Sequence, residues 1–381
     1  MGGIGKLSPC HSAICRLDLF HRRAPHLVCR RIFSPIPSFF PSSTPYGTIE
    51  SMKVLITGGA GYIGSHMVRM LVGAGHDVSV IDTLEYGYKA SIPKDIRLFV
   101  ANVGNREALD RIFSGKPEAV IHFAGYINVE ESVRDPLRYM TNNVSSPLVL
   151  LEAMEAHGVN KLIFSSTAAV YGTPTIVPIP EDHPKAPTSP YGLSKWNFEQ
   201  LLAYFDRRGT IRSISLRYFN AAGASLDGNY GEAHEPETHI IPLAMKTAMG
   251  QQPSFSLYGT HYPTKDGTCV RDYIHIEDLC QAHVLMLDAL AAGHKTAVYN
   301  VGTGECVTNR EMVAAVKRET GVDFAVVETD PRPGDPHTLV ADPTRLTGEF
   351  GWKPKHSDIS TIVGSAWKWH QKKRYQSTNA C

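Results

Sequence analysis

Seven residues, Gly58-Gly59-Ala60-Gly61-Tyr62-Ile63-Gly64, restrict the possible folds of this chain more than any other segment. They follow Lys53-Val54-Leu55-Ile56-Thr57, whose continuous apolar run reads as a buried strand, and they open a segment, 62–74, that reads as a helix ended by Gly75. Glycines at this spacing permit a tight strand-to-helix turn, close approach of the backbone to a pyrophosphate, and packing of the helix on its strand. The helix start then offers N–H groups to phosphate oxygens. Gly58, Gly61, Tyr62, Ile63 and Gly64 are therefore the first expected cofactor contacts.

The same alternation continues along the chain. Segments 78–81, 97–100, 119–123, 161–165 and 213–218 read as further strands, with helical stretches such as 147–157 between them. Apolar strands interleaved with helices imply a parallel sheet covered on both faces. The expected fold is α/β: a Rossmann-type, doubly wound parallel sheet over 52–223, then a smaller mixed α/β substrate lobe over 224–371. In the lobe, 223–239 is polar and irregular, 274–292 and 309–320 read as helices, and 297–301 as a strand. Asp82 ends the second strand, 18 residues past Gly64, where a carboxylate accepts hydrogen bonds from an adenosine ribose. Its charge repels a 2′-phosphate and no Arg follows directly, so NAD is favoured over NADP. Asn102, after the third strand, either hydrogen-bonds adenine or caps a turn. Phe123, Ala124 and Gly125 end the fourth strand, where the small Ala124 and Gly125 would let the cofactor backbone pass. Asn142 is either a cofactor contact or a structural helix residue.

Charge separates the first 51 residues from the rest. They hold six Lys/Arg against Asp18 and Glu50, leaving 32 basic and 35 acidic residues in the body. That body has no basic surplus for nucleic acid, and no stretch approaches the roughly 18 apolar residues of a membrane span. Segment 1–51 reads as a disordered or organelle-targeting extension, and 372–381 as a tail. Seven scattered cysteines form no C-x-x-C pair, and neither a metal site nor a disulfide framework is indicated. The expected setting is cytoplasmic, with an organelle as the alternative through the extension.

A second feature suggests chemistry. In Ser189-Pro190-Tyr191-Gly192-Leu193-Ser194-Lys195, proline suits a first helical turn, and residues four apart share a helix face. A lysine beside a tyrosine favours phenolate, lowering a pKa that is ordinarily about 10. Tyr191 is then a general base for a sugar hydroxyl. Ser165-Ser166-Thr167 ends the fifth strand, at the sheet edge where such folds bind ligands. There Thr167 could assist the proton transfer.

With these residues in view, the chain resembles the extended short-chain dehydrogenase/reductase superfamily and, within it, the UDP-glucose 4-epimerase family. Six blocks carry the likeness: Gly-Gly-Ala-Gly-Tyr-Ile-Gly-Ser-His (58–66), Val-Ile-His-Phe-Ala-Gly (120–125), Pro-Tyr-Gly-Leu-Ser-Lys (190–195), Leu-Arg-Tyr-Phe-Asn (216–220), 262–275, and Tyr-Asn-Val-Gly-Thr-Gly (299–304). The resemblance implies Thr167, Tyr191 and Lys195 as the catalytic set, with Tyr191 and Lys195 also touching NAD. It implies a nicotinamide-side role for Tyr218 and UDP-sugar contacts for Thr167, Asn220, His239, Ile240, Ser256, Leu257, Tyr258, Arg271, Arg332 and Asp335. It further implies a homodimer through helices of the N-terminal domain. Two positions depart from the family: Ile127 stands where some members have a cofactor-contacting Lys, and Asn102 where many have Asp. Ala168-Ala169 follow Thr167 where related dehydratases carry acids, which favours epimerisation over elimination. Leu339, at the position that varies pocket size, leaves pentose and N-acetylated sugars open as alternatives.

Overall fold

Alternation along each strand decides which side of the sheet a side chain covers. In β1 (Lys53–Thr57), Val54 and Ile56 join one hydrophobic core while Leu55 joins another. The computed structural model of the chain describes residues 50–332, 336–372 and 375. The expectations for the extension up to residue 49, for Asp335, and for most of the tail lie outside the described residues.

After β1 come α1 (Tyr62–Gly73), β2 (Asp77–Asp82), β3 (Arg97–Val100), α2 (Arg106–Phe113) and β4 (Ala119–His122). Two short helices, α3 (Val129–Arg134) and α4 (Pro136–Met140), lead to α5 (Ser146–Ala156), β5 (Lys161–Thr167), α6 (Pro190–Arg207), β6 (Arg212–Tyr218) and β7 (Asn220–Ala222). Residues 223–239 hold no helix or strand, as expected, and α7 (Ile240–Ala248) follows. The remainder runs β8 (Phe255–Tyr258), β9 (Val270–Arg271), β10 (Tyr273–His275), α8 (Ile276–Ala291), β11 (Ala297–Val301), β12 (Val307–Thr308), α9 (Asn309–Thr320), β13 (Val326–Thr329), β14 (Thr338–Leu339), α10 (Thr344–Phe350) and α11 (Ile359–His370).

Seven strands form one sheet in the order β11-β6-β5-β4-β1-β2-β3, and every neighbouring pair is parallel. One face is covered by α1 and α8, whose Met67, Leu71, Leu279 and Met286 are fully buried. Leu109 of α2, Leu150 and Met154 of α5, and Phe198 of α6 cover the other. A third core, around Met245, Leu257, Met312 and Ile362, belongs to the lobe.

The structure redraws two expected boundaries. The sheet does not stop near residue 223, because α8 and β11, from beyond it, complete the covered face and the β6 edge. The segment 274–292 is not one helix: Tyr273–His275 pairs in parallel with β7, and His275 then caps α8, its Nδ1 accepting from Glu277 N at 3.1 Å. Pairing with a distant strand overrides the local helical pattern.

Candidate active site

The strand order reverses between β1 and β4, and doubly wound sheets bind ligands beyond the strand ends at such a point. A cavity of about 570 Å³ opens there. Gly58 enters the turn at φ 69°, and a Cβ on it would lie 2.6 Å from Ala124 N. A Cβ on Gly64 would lie 2.2 Å from Gly58 O, so helix and strand pack too closely for any side chain. At Gly61 the added atom would meet only Gly58 O, at 3.4 Å, and the remaining space opens to the cavity. No side chain caps α1 and no acid occupies its first turn, which leaves its N-terminus to an anion. This cradle fits the pyrophosphate of NAD.

Tyr62, Ile63, Asp82, Asn102, Asn142 and the run Phe123-Ala124-Gly125 line the same cavity. The Tyr62 hydroxyl is committed to Gly223 O at 2.7 Å. Asp82 is nearly buried and clamps the turn, accepting from Ala60 N at 2.9 Å and Leu84 N at 2.8 Å. Burial raises its pKa while these two donors oppose the rise. Asn102 caps a turn, its Oδ1 accepting from Gly104 N at 2.7 Å, and still borders the cavity. Asn142 lies in a single widened turn, Thr141–Ser145, of the kind often found at functional sites. Its neighbour Asn143 had no sequence signal beyond the Asn-Asn pair. It is buried, bonds both main-chain groups of Tyr126, and donates to Ser194 Oγ at 3.0 Å, tying the β4 loop to α6.

Ser189 caps α6 and Pro190 occupies its first turn. Tyr191 and Thr167 reach the cavity, but Lys195 is 2 % exposed beneath it and donates to Ser165 O at 2.9 Å. This corrects the expectation of a phenol lowered by its lysine. The Tyr191 pKa is raised, burial being the main cause and the Thr167 hydrogen bond the opposing one. Burial also lowers Lys195 from 10.5 to about 8. The reason is burial: desolvation of the phenol raises its pKa, while Lys195, itself desolvated, spends a hydrogen bond on a strand carbonyl. Tyr218 lines the cavity with its ring, its hydroxyl donating to Ser165 Oγ and its pKa raised by burial.

Among the expected substrate contacts, Asn220, His239, Ile240 and Arg271 line this cavity, together with Ile127 and Leu339. Asn220 Nδ2 donates to Asp272 O at 2.9 Å. The buried Asp272 carboxylate accepts from Thr303 N, Gly304 N and Ala341 N, holding the strand that carries Arg271. Ser256, Leu257, Tyr258 and Arg332 are not brought to the cavity wall. Leu257 is 1 % exposed, its side chain packed in the lobe core. The Arg332 guanidinium instead lies 4.1 Å from the Tyr258 ring centre.

The irregular segment adds residues not anticipated from the sequence. Glu232 and His234 line the cavity beside His239, and Glu237 lies next to them. Glu232 Oε1 contacts Nδ1 of His239 and lies 3.0 Å from Nδ1 of His234. Burial acts to lower His239, but Glu232 and Glu237 outweigh it and raise its pKa to about 9. A Glu-x-His pattern repeated at 232–234 and 237–239 was the available signal.

The model of the NAD dependent epimerase/dehydratase family matches residues 54–302. A UDP-glucose 4-epimerase of Lacticaseibacillus casei is 43% identical over 321 residues, covering 84% of this chain and 97% of its own length. The crystal structure of UDP-glucose 4-epimerase from Brucella ovis in complex with NAD aligns with a TM-score of 0.81 at 40% identity, covering 83% of this chain and 98% of that one. The Bifidobacterium longum enzyme of the same name, in complex with NAD+ and UDP, aligns at 0.79 with 36% identity, over 84% and 98% of the two chains.

Proposed function

This chain belongs to the NAD dependent epimerase/dehydratase family, and from that premise we propose that it interconverts UDP-glucose and UDP-galactose through a 4-keto sugar, with NAD as resident cofactor. The observation that carries the reading is the convergence of Tyr191 and Thr167 in one cavity where Thr167 is followed by Ala168 and Ala169. Tyr191 stands there as the proton acceptor, and the acid–base pair that an elimination needs is missing from the positions after Thr167.

Bound NAD would supply the hydride acceptor for the sugar C4 and the source of its return. The glycine turn and the α1 N-terminus hold the pyrophosphate, and Asp82 receives the ribose. Tyr191 takes the 4-hydroxyl proton. Thr167, hydrogen-bonded to the phenol, opposes the effect of burial and so favours the phenolate. Lys195 braces the cavity floor through Ser165 and, when protonated, supplies positive charge under the site. Asn220, Arg271, His239 and Ile240 hold the UDP-sugar, cationic and amide groups suiting diphosphate and hydroxyl oxygens. The assignments of Ser256, Tyr258 and Arg332 rest on the family resemblance, and that of Asp335 does so wholly. We take 52–223 with α8 and β11 as the cofactor part and the rest of 224–371 as the substrate part. A homodimer is supported by the exposed apolar side chains Val129, Val133 and Leu137 on α3 and α4, which pack beside α6. No helix among the described residues is long and apolar enough to cross a membrane.

The test is to incubate purified protein with UDP-galactose, without added reductant, and separate the products. UDP-glucose should accumulate to equilibrium. No hexose conversion with NAD supplied, alongside turnover of UDP-xylose or UDP-N-acetylglucosamine, overturns the hexose assignment.

A further inference from the structure

The proposed epimerisation uses no metal, yet the wall of its cavity carries a compact set of metal-type donors. Glu232, His234, Glu237 and His239 each bring one ligand atom within 4.8 Å of the others. His234 Nδ1 is 3.0 Å from Glu232 Oε1, and His239 Nδ1 is 3.9 Å from Glu237 Oε1. Both carboxylates are withdrawn from solvent, their side chains 5% and 2% exposed. Two carboxylates buried together need positive charge beside them, and the site offers carboxylate and imidazole donors together.

We propose that these four side chains form a binding site for one divalent transition-metal ion of the zinc type. Imidazole with carboxylate is a donor set that zinc accepts, at bond lengths of about 2.0–2.2 Å. Four such bonds in a tetrahedron place the donors about 3.4 Å apart, so the observed spread closes by small side-chain rotations. An entry path exists, because Glu232, His234 and His239 line the cavity. The Tyr62 ring packs edge-on against His234, with centroids 6.4 Å apart, and orients it.

All four donors come from one eight-residue stretch, 232–239, that carries no helix or strand and runs directly into α7. An ion there cross-links this stretch to itself immediately before Ile240. It thereby sets the conformation of the cavity wall on which His239 and Ile240 lie. The site is structural, and its existence does not depend on the epimerase reading.

Chelator-treated, full-length protein titrated with zinc chloride in a calorimeter should bind one ion per chain. His234→Gln and Glu237→Gln should each weaken that binding at least tenfold while bound NAD and the circular dichroism spectrum stay unchanged. X-ray absorption at the zinc edge should show two imidazoles and only nitrogen or oxygen ligands, a readout that needs no variant to fold. No zinc binding by the wild-type chain, binding unchanged in both variants, or a spectrum without imidazole overturns the proposal. So does sulfur scattering, which would place the ion on cysteine.

Discussion

Replacing Lys195 by methionine should stabilise the cofactor-free protein while removing its activity. The ammonium is 2 % exposed, and burial lowers its pKa from 10.5 to about 8. At about 1.4 kcal/mol per pH unit, that interval amounts to about 3 kcal/mol by which the fold disfavours the charged form. The sign follows from proton counting. Between pH 8 and 10.5 the unfolded chain holds this proton and the folded one has lost it, so stability rises with pH across that window. Below pH 8 the full penalty is present. Methionine matches the length of most of the side chain and carries no charge, but it abandons the 2.9 Å bond to Ser165 O. Leaving that carbonyl unpaired costs about 1–3 kcal/mol. The net expectation at pH 7 is a gain of about 1 kcal/mol, hence a Tm higher by about 1–2 °C, with turnover lower by at least about 10²-fold. Thermal unfolding of NAD-stripped wild type and variant at pH 7 and pH 10 measures this. The gain should shrink or reverse at pH 10, where wild-type Lys195 is already neutral. A variant markedly less stable at pH 7, or a difference independent of pH, refutes the reasoning.

Other substitutions probe other parts of the site. Tyr191→Phe removes the proton acceptor and should lower turnover by about 10²–10⁴, while NAD released on denaturation stays at the wild-type amount; normal turnover would remove Tyr191 from its role. Gly64→Ala places a Cβ 2.2 Å from Gly58 O. It should cost about 1–3 kcal/mol and deplete bound NAD, read from urea melts and cofactor content. Behind the site, Arg217 forms two hydrogen bonds to Glu199, at 2.9 and 2.5 Å, with both side chains nearly fully buried. Glu199→Gln should cost about 3–5 kcal/mol, and the double change Glu199→Leu with Arg217→Met should restore part of that loss. A urea midpoint for the double variant below that of Glu199→Gln would contradict the account.

Much of the nucleotide-binding half is legible in the chain itself. The β3 bounds match the expected strand, and β1 and β11 do as well, because short apolar runs bounded by turn residues reflect local sterics. The glycine turn is legible for a similar reason: positive φ and close packing leave glycine as the residue that fits. What stays hidden involves partners far apart in sequence. Lys195 bonds a carbonyl 30 residues away, and Asn220 one 52 residues away. The alternation in β8 turns Phe255 and Leu257 into the lobe core, a placement that the family resemblance alone does not show.

From sequence alone came the alternation that specifies a covered parallel sheet, the dinucleotide turn, the threonine at a strand end and the tyrosine at a helix start. These follow from backbone periodicity and from residue types that few other positions tolerate. Tertiary structure alone decided the electrostatics. It buried Lys195 against Ser165, set Arg332 against the Tyr258 ring, and gathered two glutamates and two histidines in the irregular segment. A charge acts through its distance, its hydrogen bonds and the solvent it has lost, and these are set only once the chain has closed on itself.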